Sequence, residues 1–264
     1  LRPFFRHTLQ SRPRFFRRGF LNAVSFQSEV EVRRLAIVTA TNRELRAALD
    51  GAPGTLSPEP VPWRWRGIDL SLVVCGMGPV NAAFAMGRLF QRETGLKGVL
   101  NLGIAGSFDP EALPLYQAVV AREEIWPEFG LRTVEGVDPA GLKHGQGTLG
   151  GETVRDRLEL SPGHSLARIG IDGPLPWPEG RSLTVAGASG DPGQAEWYRR
   201  RYGPDLENME GFALAWPCLK YGIPFAEVRC VSNVVGSRQK EDWDIRGALG
   251  ELGTVMDRLR ECMG

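Results

Sequence analysis

Short apolar runs recur along this chain, each followed by a small-residue turn and then by a stretch whose apolar positions share one helical face. Leu35 to Ala40 is the first run. Thr41-Asn42-Arg43-Glu44 behind it supplies a helix cap and an acidic first turn, so a strand feeds a helix. Gly and Pro between Gly51 and Pro62 end that helix, and Trp63 to Arg66 with Ile68 to Val74 read as two strands around Gly67. Gly76-Met77-Gly78-Pro79 is a turn with Pro set to begin a helix over Val80 to Thr94. Gly98 to Leu102 is a buried strand closed by Gly103-Ile104-Ala105-Gly106, and Ala118 to Glu123 is another.

The second half is less regular. Gly136 to Gly151 is glycine-rich and predicts a mobile surface loop, and residues 172–181 predict a Pro-rich one. Leu183 to Gly187 reads as a strand, Gln194 to Tyr202 and Met209 to Tyr221 as helices, Pro224 to Val231 as a strand, and Trp243 to Cys262 as a C-terminal helix. Strands alternating with helices predict a three-layer α/β sandwich, and the 264 residues suffice for one large domain. No internal repeat is visible.

Composition narrows the function classes. With 42% hydrophobic and 24% charged residues, and no apolar run long enough to cross a bilayer, the chain reads as a cytoplasmic globular protein without a membrane partner. The net charge of +1 hides an asymmetry: eight Arg and two Glu fall within residues 1–34, and the rest holds 24 basic against 29 acidic residues. A mildly acidic body argues against nucleic-acid binding. Residues 1–32 form an Arg-rich N-terminal extension whose composition is like that of an organellar transit peptide. It is expected to be disordered and is set apart from a single domain over 33–264. Cys75, Cys218, Cys230 and Cys262 are widely spaced and form no Cys-x-x-Cys pair, which predicts reduced, structural thiols.

Cofactor and metal signatures are missing. Gly76-x-Gly78 lacks the third glycine of a dinucleotide fingerprint, no Walker A sequence occurs, and His7, His144 and His164 have no Cys or Asp at ligand spacing. What remains is a set of short glycine-rich turns at strand ends together with two carboxylates, Glu44 and Glu210. Small turns let a flat ligand approach the backbone.

Asn101 to Gly106 (Asn-Leu-Gly-Ile-Ala-Gly), Ser189-Gly190-Asp191, Asn208-Met209-Glu210-Gly211 and Val231-Ser232-Asn233 occur in one order at characteristic intervals. In this the chain resembles the nucleoside phosphorylase and nucleosidase superfamily, in the branch of methylthioadenosine/adenosylhomocysteine nucleosidases and futalosine hydrolases, over Leu35 to Leu259. The resemblance implies a nucleoside phosphorylase-like central mixed sheet, a small-molecule nucleoside as substrate, no cofactor and a homo-oligomer. It also implies roles. Glu44 would activate water, Glu210 would bind ribose hydroxyls and oppose the positive charge that develops on the sugar, and Met209 would pack on the sugar. Asn233 would contact the base. Met77, Ile104, Ala105, Gly106 and Ser232 would complete the ribose and base walls.

Each residue has a plainer reading beside this one. Glu44 suits the first turn of any helix, Asn233 a strand end, Met77 and Ile104 a core, Trp243 a helix cap and Arg238 a solvated surface. The departure from the family pattern is informative. Methylthioadenosine nucleosidases carry Asp where this chain has Asn233, and an amide cannot serve as an acid toward N7 of adenine. It can donate to N7 and O6 of a 6-oxopurine, which implies hypoxanthine as leaving group and futalosine as substrate, on the alternative route to menaquinone. Trp243 and Arg238 would then meet the carboxyphenyl tail, with Trp126 and Phe129 as further pocket candidates. The competing expectations are a methylthioadenosine/adenosylhomocysteine nucleosidase, a purine nucleoside phosphorylase, and a catalytically silent nucleoside-binding protein of the same fold.

Overall fold

The computed structural model describes residues 34–263, so the Arg-rich extension expected over 1–32 lies outside the described residues. In chain order the elements are β1 (Leu35–Thr39), α1 (Asn42–Ala48), β2 (Val61–Trp65), β3 (Ile68–Val74), α2 (Pro79–Arg92), β4 (Gly98–Ser107), β5 (Ala118–Ile125), β6 (Leu131–Thr133), β7 (Gly136–Asp138), β8 (Gly147–Leu149), β9 (Glu152–Val154), β10 (Arg157–Glu159), α3 (Pro162–Ile169), β11 (Glu179–Thr184), α4 (Pro192–Tyr202), β12 (Leu206–Asn208), α5 (Gly211–Lys220), β13 (Phe225–Val234) and α6 (Ile245–Glu261).

Alternation along β1 shows why the fold is layered. Leu35 and Ile37 join a core cluster with Leu45 of α1 and Leu252 and Met256 of α6, whereas Ala36 and Val38 join a second cluster with Met86 of α2 and Leu214 of α5. A strand covered on both faces is buried at every position, as all five residues here are, and four of the five are apolar. The result is an α/β fold around a mixed nine-stranded sheet. β1 is parallel to β3 and β4, β2 is antiparallel to β3, and β12 is antiparallel to β4. β13 pairs with β4 on one side and β5 on the other, so β4, β13, β5, β11 and β12 close a cycle of pairings.

Several expected boundaries move. The turn expected at Gly103 to Gly106 is strand: β4 runs on to Ser107, because β13 and β12 supply backbone partners on both sides of it. The loop expected over Gly136 to Gly151 instead holds β7 and β8, paired with β6 and β9 in two small hairpins too short to show a period in the sequence. β11 begins at Glu179, inside the segment read as a Pro-rich loop. β10, α3 and β12 had no clear signal, since three-residue strands and a two-turn helix fall below the length at which periodicity speaks. No helix among the described residues is long and apolar enough to cross a membrane. The four cysteines are unpaired, three of them buried, and burial pushes the Cys75 and Cys230 thiols up to about 12.

Candidate active site

One cavity of about 340 Å³ collects the residues singled out in the sequence: Glu44, Glu210 and Asn233 all line it. Met77, Ile104, Ala105, Gly106, Met209, Ser232 and Trp243 line it too. A larger apolar groove of about 1070 Å³ lies elsewhere, along α2 and α5. Its one charged lining residue, Glu93, is already engaged by Arg34 and Ser71.

Glu44 is held by its own helix end. Thr41 caps α1, its hydroxyl accepting from Glu44 N–H, while Glu44 Oε2 accepts from the backbone N–H and the hydroxyl of Thr41, both at 2.8 Å. Oε1 accepts from the N–H of Ile104 on β4 at 3.1 Å. The capping box that made Glu44 look like an ordinary first-turn acid is thus present, and it aims a buried carboxylate into the cavity.

Glu210 precedes α5. Its Oε1 accepts from the N–H of Gly78, whose φ of 92° is a left-handed value open to glycine, and its Oε2 lies 3.5 Å from Arg229 Nη1. Burial raises the Glu210 carboxyl above the usual range, and Arg229 opposes that rise. Arg229 itself is buried and fully engaged. Nε donates to Glu227 at 2.8 Å, Nη2 to Asn101 at 2.7 Å and to Asn208 at 3.4 Å, and Nη1 to the Ile104 carbonyl at 3.4 Å. Burial works against its charge, but Glu227 and Glu210 raise its pKa further, so the guanidinium stays ionised. Asn208 in turn accepts from the N–H groups of Glu210 and Gly211, both at 2.7 Å, and donates to Glu124 and Ser182. Burial, and then the charge of Glu227, push the Glu124 carboxyl well above its ordinary value.

Three glycines of the sequence motifs make room for these groups. A Cβ on Gly103 would collide with Arg229 Nη1 and lie 3.0 Å from Glu44 Oε1. On Gly106 it would lie 2.9 Å from the Asn233 amide nitrogen. On Gly211 it would collide with Glu124 Oε1 and lie 2.6 Å from Glu227 Oε2. Gly211→Ala is therefore expected to lower stability by about 1–3 kcal/mol through overpacking, read as a drop in the urea midpoint. An unchanged midpoint would show that the two carboxyls move aside freely.

Other expected residues fall elsewhere. Arg238 is exposed and does not line the cavity; its guanidinium sits 5.9 Å from the Trp243 ring centroid, in the loop before α6. Trp243 is oriented by its indole N–H, which donates to the Ser237 carbonyl at 2.7 Å. Trp126 packs against Phe212 and lines the apolar groove, with Phe129 stacked on it, so neither is a wall of the carboxylate cavity. Their aromatic composition suggested a pocket, but α5 packs over Trp126 and carries it away. Sequence reading passed over Arg229, Glu227, Glu124 and Glu207. The signal available was charge inside an apolar strand: Glu227 and Arg229 alternate with Ala226, Val228 and Cys230, which face the core.

A model of the phosphorylase superfamily matches residues 34–263. The chain is 36% identical over 201 residues to a futalosine hydrolase of Thermus thermophilus, covering 74% of this chain and 84% of the relative. It is 31% identical over 237 residues to a futalosine hydrolase of Streptomyces coelicolor, covering 85% and 93%. In fold it is similar to the native structure of futalosine hydrolase of Helicobacter pylori, with a TM-score of 0.66 at 16% identity over 87% of this chain and 98% of that one.

Proposed function

This chain belongs to the phosphorylase superfamily and is an N-glycosidase, and we propose that it hydrolyses the bond between hypoxanthine and ribose in futalosine. The products would be hypoxanthine and dehypoxanthine futalosine, on the alternative route to menaquinone. The observation that carries this reading is the arrangement of one cavity. A fixed carboxylate, Glu44, and a second, Glu210, share it with an amide, Asn233, where the nucleosidase pattern has an acid.

Cleavage of a purine N-glycosidic bond leaves positive charge on the sugar and negative charge on the base. Glu44, with both oxygens already oriented by backbone and hydroxyl donors, retains lone pairs to take a proton from water. Glu210 is the partner for ribose hydroxyls, and its charge, kept by Arg229, opposes the cation forming on the sugar. Asn233 offers its amide N–H to the base, oriented by the Ser232 hydroxyl, which donates to Asn233 Oδ1 at 2.9 Å. Because a 6-oxopurine leaves as a stabilised anion, hydrogen-bond donation suffices and no acid is needed at this position. Trp243 supplies an apolar wall for the carboxyphenyl tail, and Arg238, outside the cavity lining, lies beside its ring.

Water rather than phosphate is the nucleophile in this reading. Glu44, Glu207 and Glu210 line the cavity against one basic side chain, Arg43, so an incoming phosphate meets carboxylates instead of a cationic cradle. A homo-oligomer is part of the same proposal. Val80 and Phe84 on α2, and Tyr221, are exposed apolar side chains suited to it.

The test is to incubate the protein with futalosine, aminofutalosine, inosine and methylthioadenosine, with and without phosphate, and to follow free base. Hypoxanthine is expected from futalosine at a rate that phosphate does not change. Faster adenine release from either adenine nucleoside, or a requirement for phosphate, would overturn the assignment, and no release at all would favour a silent binder.

A further inference from the structure

Glu227 Oε2 is a buried carboxylate oxygen with no hydrogen-bond donor among the described residues. Its other oxygen is taken by Arg229 Nε at 2.8 Å. A buried acceptor left bare forfeits its hydration without return, so a bare oxygen at this depth needs an explanation. The side chain that faces it is a second carboxyl. A Cβ on Gly211 would lie 2.6 Å from Glu227 Oε2 and would collide with Glu124 Oε1, so both oxygens point into the space that this glycine leaves beside the start of α5.

Glu124, on β5, is as deeply buried as Glu227. Its Oε2 accepts from the Thr184 hydroxyl at 2.5 Å and its Oε1 from Asn208 Nδ2 at 2.8 Å. The charged groups that face it are Glu227 and Arg229, both from β13. β11 brings Thr184 and Ser182, β12 brings Asn208 and α5 brings Gly211, none of which titrates. The hydrogen bonds to Glu124 favour its ionised form, but burial and the charge of Glu227 outweigh them and raise its pKa. Two like charges aimed at one buried point with no donor between them repel and stay unsolvated. A single proton between the two oxygens removes one charge and supplies the missing donor.

Contacts on both sides of the pair lead to Glu210. Asn208 Nδ2 is bound to Glu124, while Asn208 Oδ1 accepts the N–H groups of Glu210 and Gly211, both at 2.7 Å. Arg229 Nε is bound to Glu227, while Arg229 Nη1 lies 3.5 Å from Glu210 Oε2. A hydrogen bond between Glu124 and Glu227 closes these contacts into a ring that passes through the backbone and the carboxylate of Glu210. Arg229 is the cation of that ring. A second negative charge on the pair would push the Glu210 carboxyl up, away from the ionised form that its proposed role needs.

We propose that Glu124 and Glu227 hold one proton between them, Glu124 Oε1 donating to Glu227 Oε2, and that this acid pair is a positioning element that fixes the place and the charge of Glu210. Its bearing on catalysis rests on the role proposed above for Glu210, whereas the shared proton stands without it.

The full chain and two variants at Glu124 test this. Infrared difference spectra of wild type against Glu124→Gln near neutral pH are expected to show the carbonyl stretch of one protonated carboxyl, shifted to lower frequency in D2O. The amide substitutes for the protonated acid, since it can donate to Glu227, and Asn208 Nδ2 keeps Ser182 as an acceptor. Stability has a definite sign. The folded wild type keeps its proton above the pH at which the unfolded chain releases it, so it loses stability as pH rises from the ordinary carboxyl value to the raised one. Glu124→Gln has no such proton, and its urea midpoint relative to wild type is expected to climb over that window and to stay level below it. Glu124→Leu, which neither donates nor accepts, is expected to lower kcat for base release at least about tenfold, the scale of one buried hydrogen bond, while Glu124→Gln restores it to within about threefold of wild type.

Absence of the carboxyl band, or a urea difference that does not change with pH, overturns the shared proton, and both are read on Glu124→Gln even if Glu124→Leu does not fold. Equal loss of kcat in the two variants overturns it as well, because the charge of Glu124 would then be what matters. Full turnover in both, with the band present, overturns the positioning role. A wild type that hydrolyses none of the nucleosides removes the function proposed for the site, and the band and the urea difference then decide the shared proton by themselves.

Discussion

Glu44→Gln is expected to lower kcat for base release by about 10²- to 10⁴-fold, the range lost when a positioned general base is removed, while leaving substrate binding measurable. The substitution preserves shape and removes the acceptor that takes the proton. It also carries a local cost that follows from the geometry. Glu44 uses Oε2 for Thr41 and Oε1 for Ile104, and a Gln side chain has only one carbonyl oxygen. Either the Thr41 N–H keeps its partner, as in a capping box closed by Gln, or the Ile104 N–H does. One lost bond to a charged group of this kind costs about 1.5–3 kcal/mol, too little to unfold a domain of this size, so a fall in turnover is separable from a fall in folded protein by circular dichroism. Single-turnover mixing with excess enzyme would isolate the chemical step from product release. Retention of even a tenth of the wild-type rate would remove Glu44 as the base.

Arg229→Met is expected to have the largest effect on stability, about 3–5 kcal/mol, because truncating one partner of a buried ion pair leaves the other uncompensated. Glu227 and Glu210 both face the guanidinium, at 2.8 and 3.5 Å, and the three side chains are 5% exposed or less. Asn101 and Asn208 lose a donor in the same step. The pH dependence has a definite sign. Burial already raises the Glu210 carboxyl and Arg229 opposes that rise, so without the cation its folded-state pKa climbs further above the unfolded value and the folded state binds more protons. The deficit relative to wild type then narrows as pH falls through that raised value and is full above it. Urea unfolding across pH measures it. A deficit below about 1 kcal/mol, or one that grows on acidification, would show that the network is hydrated. Adding Glu227→Gln to Arg229→Met should recover part of the loss, since one of the stranded charges is gone.

These two residues mark what could be read in advance. Glu44 carries its signal locally, as the third residue after a capping threonine behind an apolar run, and Glu210 and Asn233 carry theirs through motif order and interval. Arg229 was in plain view inside Val228-Arg229-Cys230, but a charged residue in an apolar strand names no partner. Asn101 precedes it by 128 residues in the chain and Glu210 by 19, and which of them it meets depends on β13 lying against β4. Trp126 shows the opposite failure: it was a further candidate for the pocket, and its packing against Phe212 put it in a different one.

The sequence by itself determined the alternation of strands and helices, the family, and the three polar side chains proposed for chemistry, because periodicity, caps and motif spacing are properties of neighbouring residues or of ordered intervals. It did not determine where β4 ends, what Arg229 touches, or that Glu124 and Glu227 meet beside Gly211. Those depend on register between strands far apart in the chain. A one-residue slip would turn each of these side chains to the other face, and only the packed sheet, with glycines at 103, 106 and 211 leaving room for polar groups, selects the register that brings them together.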